Sequence, residues 1–263
     1  MWGDGMSYII EVDNLTINPL FSDFSLFIPE NNFVTISGPN NCGKTTLMRI
    51  LNKITNCPHS KVIVNNKYLE NYSDVEYEKL VQCVIPLDVV FYTNSLQEEI
   101  SLYNKLDDNT LKSVINSLKI KSLLSKSFYT LTPREIVLSQ IFLSIIQKPK
   151  ILLLDQLDNY ISEDEFFNLI FLIKEKLFPK DISIIHTTTN LDYSIYSDYI
   201  YLIFQGKVVM EGVSKEILIR DNILNKIGLK VPFMYDLSVK LMDYNLLGDI
   251  ELDKDRMVDQ LWK

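Results

Sequence analysis

Gly38-Pro39-Asn40-Asn41-Cys42-Gly43-Lys44-Thr45-Thr46 has the spacing G-x-x-x-x-G-K-T and follows directly on the short apolar run Phe33-Val34-Thr35-Ile36-Ser37. Two glycines let the backbone curl until its N–H groups face an anion, and residues 44–52 read as a helix whose positive N-terminal end adds to that pull. Lys44 can then reach the β and γ phosphates of a nucleotide, while the Thr45 hydroxyl can ligate Mg²⁺. All nine residues are assigned to nucleotide binding. The plainer alternative is a glycine-rich turn from strand to helix, with no ligand.

Further along, Ile151-Leu152-Leu153-Leu154-Asp155 reads as a buried strand ending in an aspartate. In an open parallel sheet such a strand end lies beside the phosphate loop, where Asp155 would bind Mg²⁺ directly or through water. Its alternative is a helix N-cap. His186 follows the apolar run 182–185. At a strand end near the γ-phosphate it would donate a hydrogen bond or orient water, so it is assigned to catalysis. His59 has no such context and is assigned a structural role.

The remaining pattern supplies the sheet. Strands are expected at 8–17, 25–28, 61–64, 199–204 and 207–210, the last two as a hairpin around Gln205-Gly206. Helices are expected at 73–82, 133–147 and 163–177, with short helical pieces at 96–124 and helix again from Ser214. Apolar strands alternating with helices imply a parallel sheet covered on both faces.

The chain has 263 residues, 47% apolar, room for one large α/β domain with an appendage. It carries no run of eighteen uncharged apolar residues to cross a membrane and no signal-peptide pattern at its start, so the expected location is the cytoplasm. Cys42, Cys57 and Cys83 lack metal-ligand spacing and read as reduced thiols. The formal charge of −8, without a dense basic stripe, argues against a nucleic-acid partner.

The residues 131–155 are similar, without a gap, to the segment joining the signature to the second nucleotide-binding strand in the ATPase subunits of ABC transporters. Leu131-Thr132-Pro133-Arg134-Glu135 stands where that family has L-S-G-G-Q, and Pro149 where it usually has proline. The tail Asp221-Asn222-Ile223-Leu224-Asn225-Lys226-Ile227-Gly228-Leu229-Lys230-Val231-Pro232-Phe233 resembles the segment after the ATPase core in energy-coupling factor (ECF) transporters, importers of vitamins and transition metals. The resemblance implies an ABC-type P-loop NTPase fold: a mostly parallel core, an antiparallel β subdomain and a helical subdomain at about 87–147. The ATPase domain would span 1–213 and a short helical appendage 214–263. It implies ATP and Mg²⁺ as ligands, a second ATPase subunit and an integral membrane subunit as partners, and a place on the inner face of the membrane.

Departures from the family pattern bear on mechanism. The family's catalytic glutamate is Gln156 here, which can position water but cannot accept its proton. In the signature, Pro133 removes an N–H, Arg134 adds bulk and Glu135 brings negative charge toward a phosphate. The Q-loop glutamine falls at about Pro86, with Gln82 four residues early, and the D-loop aspartate falls at Ser162. The family's adenine-stacking aromatic is absent at Asn18 and Pro19; Phe21 is either its replacement or a core residue. A transport ATPase subunit, a regulatory nucleotide-binding subunit with negligible hydrolysis and a soluble ABC-type protein acting on nucleic acid all remain open, the last disfavoured by the acidic balance.

Overall fold

Two sheets form around the glycine loop. In the computed structural model, which describes residues 7–57, 60–179 and 181–262, β1 (Tyr8–Ile17), β2 (Phe21–Pro29) and β3 (Phe33–Ser37) precede the loop and α1 (Lys44–Leu51) follows it. Next come β4 (Lys61–Val64), β5 (Lys67–Tyr68), α2 (Asp74–Leu80) and β6 (Val81–Val84). A helical stretch holds α3 (Leu96–Tyr103), α4 (Asp108–Ser117) and α5 (Pro133–Ile146). Then β7 (Ile151–Asp155), α6 (Glu163–Phe171), β8 (Ser183–Thr188), β9 (Tyr199–Phe204) and β10 (Lys207–Val213) complete the core. The chain ends in α7 (Ser214–Leu218), α8 (Asp221–Lys226), α9 (Phe233–Asp243) and α10 (Lys254–Leu261). His59 lies outside the described residues.

The larger sheet runs β10-β9-β3-β8-β7-β6, parallel except for the β10 edge. The smaller, β2-β1-β4-β5, is antiparallel. The central strands β3, β7 and β8 are buried along their whole length, as near-continuous apolar runs covered on both faces require.

Each face of the parallel sheet has its own core. Leu153 and Ile185 pack with Leu47, Met48, Ile50 and Leu51 of α1 and with the antiparallel sheet. Leu152, Leu154 and Ile184 point the other way, onto Ile141, Phe142 and Ile145 of α5 and Phe166 of α6. A third cluster joins Ile200 and Leu202 of β9 to Leu224, Ile227, Leu229, Met234 and Met257 of the tail. Among the described residues no helix is long and apolar enough to cross a membrane.

Several elements differ from the sequence expectation: β2 begins at Phe21 rather than at 25, and the helix expected at 163–177 is α-helical to Phe171 and continues as a π-helix over Leu172–Leu177. The helix expected at 73–82 stops at Leu80, and Val81–Val84 pairs with β7 as the sheet's edge strand. The apolar strand at 182–185 begins one residue later and continues through His186, Thr187 and Thr188, because the β-branched threonines extend the ladder against β3 and β7.

Candidate functional site

The loop between β3 and α1 has room only for glycine at its two ends. A Cβ on Gly38 would lie 2.2 Å from the Ile203 carbonyl oxygen and 2.7 Å from Cys42 Sγ. Gly43 has φ 105, and a Cβ there would meet the Phe21 ring at 2.4 Å. Phe21 is buried against Phe24, with ring centroids 4.8 Å apart, so it is core packing beneath the loop. Leu20, with Asn40, Asn41, residues 43–46 and Gln156, lines a cleft of about 310 Å³ over the loop.

Lys44 is 3% exposed, and its ammonium is held by the Gly38 carbonyl at 2.7 Å, the Pro39 carbonyl at 2.9 Å and, more weakly, Cys42 Sγ at 3.7 Å. Burial pushes its pKa down from the ordinary lysine value. The first turn of α1 has neither a side-chain cap nor an acidic residue, which leaves its N–H groups directed at the cleft. A buried cation beside unclaimed helix-end donors is the environment that an anionic phosphate satisfies. The loop therefore fits a nucleotide triphosphate.

Across the cleft, Asp155 is the last residue of β7 and is 2% exposed. Its Oδ1 accepts from the Thr187 hydroxyl. Gln156 takes a left-handed backbone, φ 47, and its N–H donates to the Thr187 carbonyl at 3.0 Å and toward the Thr187 hydroxyl at 3.2 Å. Its side-chain Nε2 donates to Thr45 Oγ1 at 3.0 Å. The fold thus brings Lys44, Thr45, Asp155 and Gln156 together. Two oxygen-bearing groups, Thr45 in the cleft lining and Asp155 next to Gln156 at the end of β7, have the ligand chemistry that suits Mg²⁺.

His186 is not among them, and its assignment to the phosphate site is corrected. It lies inside β8, in register with Leu154 of β7 and Thr35 of β3. Because alternate strand residues face opposite sides, Asp155 and Thr187 point to the α1 face and His186 to the α5–α6 face. It is fully buried among Phe166, Tyr193 and Phe33, at ring distances of 4.4, 6.4 and 6.5 Å, and neither ring nitrogen has a hydrogen-bond partner. The first residue past the strand is Thr189, which shares a groove with Pro39 and Asn40.

Burial lowers the His186 pKa to about 3. The unfolded chain takes up this proton near pH ~6.5, so the contribution is complete above that pH and is lost as pH falls from ~6.5 toward 3. The slope is up to about 1.4 kcal/mol per pH unit. His186→Leu should flatten the fall in thermal stability between pH 6.5 and 4.5, as read by melting temperature against pH; an unchanged slope would contradict this placement.

Three neighbours were not singled out from sequence. Thr187 links Asp155 to Gln156. Thr188 Oγ1 donates to Asp158 Oδ2 at 3.0 Å and accepts from the Asn190 N–H at 2.9 Å. Asp158 is half-buried, its Oδ1 has no partner, and burial raises its pKa. None of these follows a local motif.

The segment 131–135 is closed on itself. Thr132 caps α5 by accepting from the Glu135 N–H at 3.3 Å, and Glu135 Oε2 accepts from the Thr132 N–H at 2.8 Å. Lys126 donates to Glu135 Oε1 at 2.8 Å, and these bonds, the lysine's first, hold the Glu135 carboxyl at about 2. Arg134 pairs with Glu165, itself bound to Ser162 in the cap of α6. Of the other positions, Gln82 sits within β6, where its Oε1 accepts from Gln147 Nε2 at 3.0 Å.

Residues 21–159 match the sequence profile of the ABC transporter family. The energy-coupling factor transporter ATP-binding protein EcfA1 of Clostridioides difficile (strain 630) is 24% identical over 279 residues, 97% of this chain and 99% of the relative. The ferric enterobactin transport ATP-binding protein FepC of Escherichia coli (strain K12) is 23% identical over 80% of this chain and 82% of its own. Among solved structures, cbiO1 from Clostridium perfringens, described as part of the ABC transporter complex cbiONQ, superposes with TM-score 0.69 at 21% identity, over 90% of this chain and 99% of that one. A bacterial Atm1-family ABC exporter with ATP bound gives TM-score 0.70 at 15% identity, over 83% of this chain and 41% of that one.

Proposed function

Because the chain belongs to the ABC transporter family, we propose that it is the ATP-binding subunit of an importer of the energy-coupling factor type, taking up a small substrate such as a vitamin or metal ion. The observation that carries the reading is the joint geometry of the loop: a buried Lys44 ammonium, an uncapped α1 and a Thr45 hydroxyl bonded to Gln156, the residue that follows Asp155. The loop amides and Lys44 would hold the phosphates, and Thr45 and Asp155 would hold Mg²⁺. When bound, the metal neutralises charge on the phosphate oxygens. Relatives that include ECF ATP-binding proteins over nearly their whole length support the importer class.

In this reading the chain is the weaker half of an ATPase pair. Gln156 orients water in the site but leaves its proton without a carboxylate acceptor. On the outward-facing signature segment, Glu135 already occupies the α5 N-terminus and Arg134 is paired with Glu165, so a phosphate held by another chain would meet a carboxylate there and would have to draw Arg134 from its partner. A homodimer would combine both defects, so the pairing proposed is with a second ATPase chain, beneath an integral membrane subunit on the cytoplasmic face. The division into an ATPase domain, 1–213, and a helical appendage, 214–263, belongs to the same proposal.

Purification of the tagged full-length chain from native membranes tests the assembly. A second ATPase chain and an integral membrane protein should co-purify in stoichiometric amounts; recovery of the chain alone, or with itself only, would overturn the heterodimer.

A further inference from the structure

We infer that Gln156 is a latch on the magnesium position: in the resting chain its side-chain amide is bound to the Thr45 hydroxyl oxygen that the metal would use, so amide and metal compete for one atom. The inference rests on the nucleotide-binding reading above and adds to it a control on how that site takes its metal.

Three observations carry it. Gln156 Nε2 donates to Thr45 Oγ1 at 3.0 Å, a contact between residues 111 positions apart. The Gln156 backbone is fixed: its N–H is held by both oxygens of Thr187, and its φ of 47 is a conformation that few non-glycine residues adopt. The side chain therefore leaves the end of β7 in a set direction, across the cleft to α1. Thr187 in turn holds Asp155, the second group suited to the metal, so both candidate ligands are engaged by neutral donors of the same chain.

The conflict is one of charge and space. The hydroxyl oxygen has two acceptor lone pairs, but an amide NH₂ is a donor only, so it turns a positive hydrogen toward the oxygen that a cation would use. A metal ion on Thr45 Oγ1 draws on those lone pairs and turns the hydroxyl proton outward, where it needs an acceptor. An amide N–H still aimed at that oxygen would face a dication, so Gln156 must swing away before the metal is seated. The cost of losing that hydrogen bond is subtracted from what the metal adds to nucleotide affinity. The nucleotide is then held mainly by Lys44 and the loop amides, with the metal a weaker contributor than Thr45 and Asp155 alone would make it.

The test is equilibrium binding of a fluorescent ATP analogue to the full-length chain, in excess Mg²⁺ and in EDTA, read as the ratio of the two dissociation constants. Gln156→Ala removes the amide. Gln156→Asn keeps an amide that tolerates the left-handed backbone but is one methylene too short. In both, the benefit from Mg²⁺, read as the ratio of the two constants for each variant, should rise about 3- to 10-fold, the range for loss of one hydrogen bond. In a Thr45→Val background the same substitutions at 156 should leave the ratio unaltered. A ratio unmoved by both variants, or moved equally without the Thr45 hydroxyl, overturns the latch while leaving nucleotide binding intact. Failure of the wild-type chain to bind in either buffer overturns the nucleotide reading and the latch with it.

Discussion

Lys44→Ala should weaken ATP binding by about 10- to 100-fold, because a charge-assisted contact to phosphate is worth roughly 1.5–3 kcal/mol. The site makes the upper part of that range the expected one. Lys44 is nearly excluded from water, and its resting partners are two carbonyls of its own loop and a thiol. Burial disfavours its charged form, and the Asp155 and Asp158 carboxylates offset that only in part, so an arriving phosphate adds countercharge at the ammonium. Removing the ammonium relieves that burial cost, so the variant should melt no lower than the wild type. Isothermal titration with ATP and a parallel thermal melt separate the two effects. Unchanged affinity would remove the loop from nucleotide binding; lost affinity with a collapsed melt would mean that Lys44 acts by holding the loop carbonyls.

The contrast among helix N-termini follows the same electrostatics. The α5 and α6 ends each carry a capping box, Thr132 with Glu135 and Ser162 with Glu165. Their carboxylates lie where an external anion would bind, and such boxes satisfy the end donors internally. The α1 end is instead preceded by Gly43 in a conformation that brings no side chain. A chain selected to bind phosphate at both its loop and its signature would leave both ends open. This chain leaves one.

The glycine loop, β3 and β7 were legible in sequence because their signals are local. A four- or five-residue apolar run with a glycine loop or an acid at its end specifies strand, turn and helix together, and Asp155 stands at the strand end as expected. The position of His186 was not legible. A polar His-Thr-Thr after an apolar run can end a strand or continue it, and the choice is made by pairing with β3 and β7, which sequence does not contain. One further residue of strand reverses the face on which a side chain lies, which is the difference between a phosphate contact and an aromatic pocket. The β6 edge strand was missed because four residues directly after a helix give too short a period to read. Thr187, Asp158 and the Gln156–Thr45 bond arise only when β7, β8 and α1 converge. The tail's apolar residues were visible, but their partner surface was not: Leu224, Ile227 and Leu229 are buried with β9, whereas Phe233 remains exposed.

Gln156→Glu should raise turnover at this chain's own phosphate site by about 10²-fold or more when a partner chain with an intact signature is present, since a general base typically supplies 10²–10⁴-fold. The geometry permits it without rebuilding. The side chain at 156 already spans the cleft to within 3.0 Å of Thr45 Oγ1, and glutamate is the same length. Its carboxylate would accept a hydrogen bond from the Thr45 hydroxyl, which leaves the oxygen lone pairs to the metal, and would offer its second oxygen to a water near the phosphate. Two effects are then combined, a freed metal position and a proton acceptor, and Gln156→Ala separates them because it frees the hydroxyl but supplies no base. If proton acceptance limits the wild-type rate, the alanine variant stays slow and the glutamate variant is fast. If the latch alone limits it, both accelerate equally. Without a partner the glutamate variant should remain slow, because the chain's own signature segment is closed by Glu135 and Arg134. Phosphate release measured at saturating Mg·ATP, with and without the partner, decides among these. Brisk turnover by the wild-type chain alone, or no gain in the partnered Gln156→Glu variant, would sink the reading of residue 156 as the missing base.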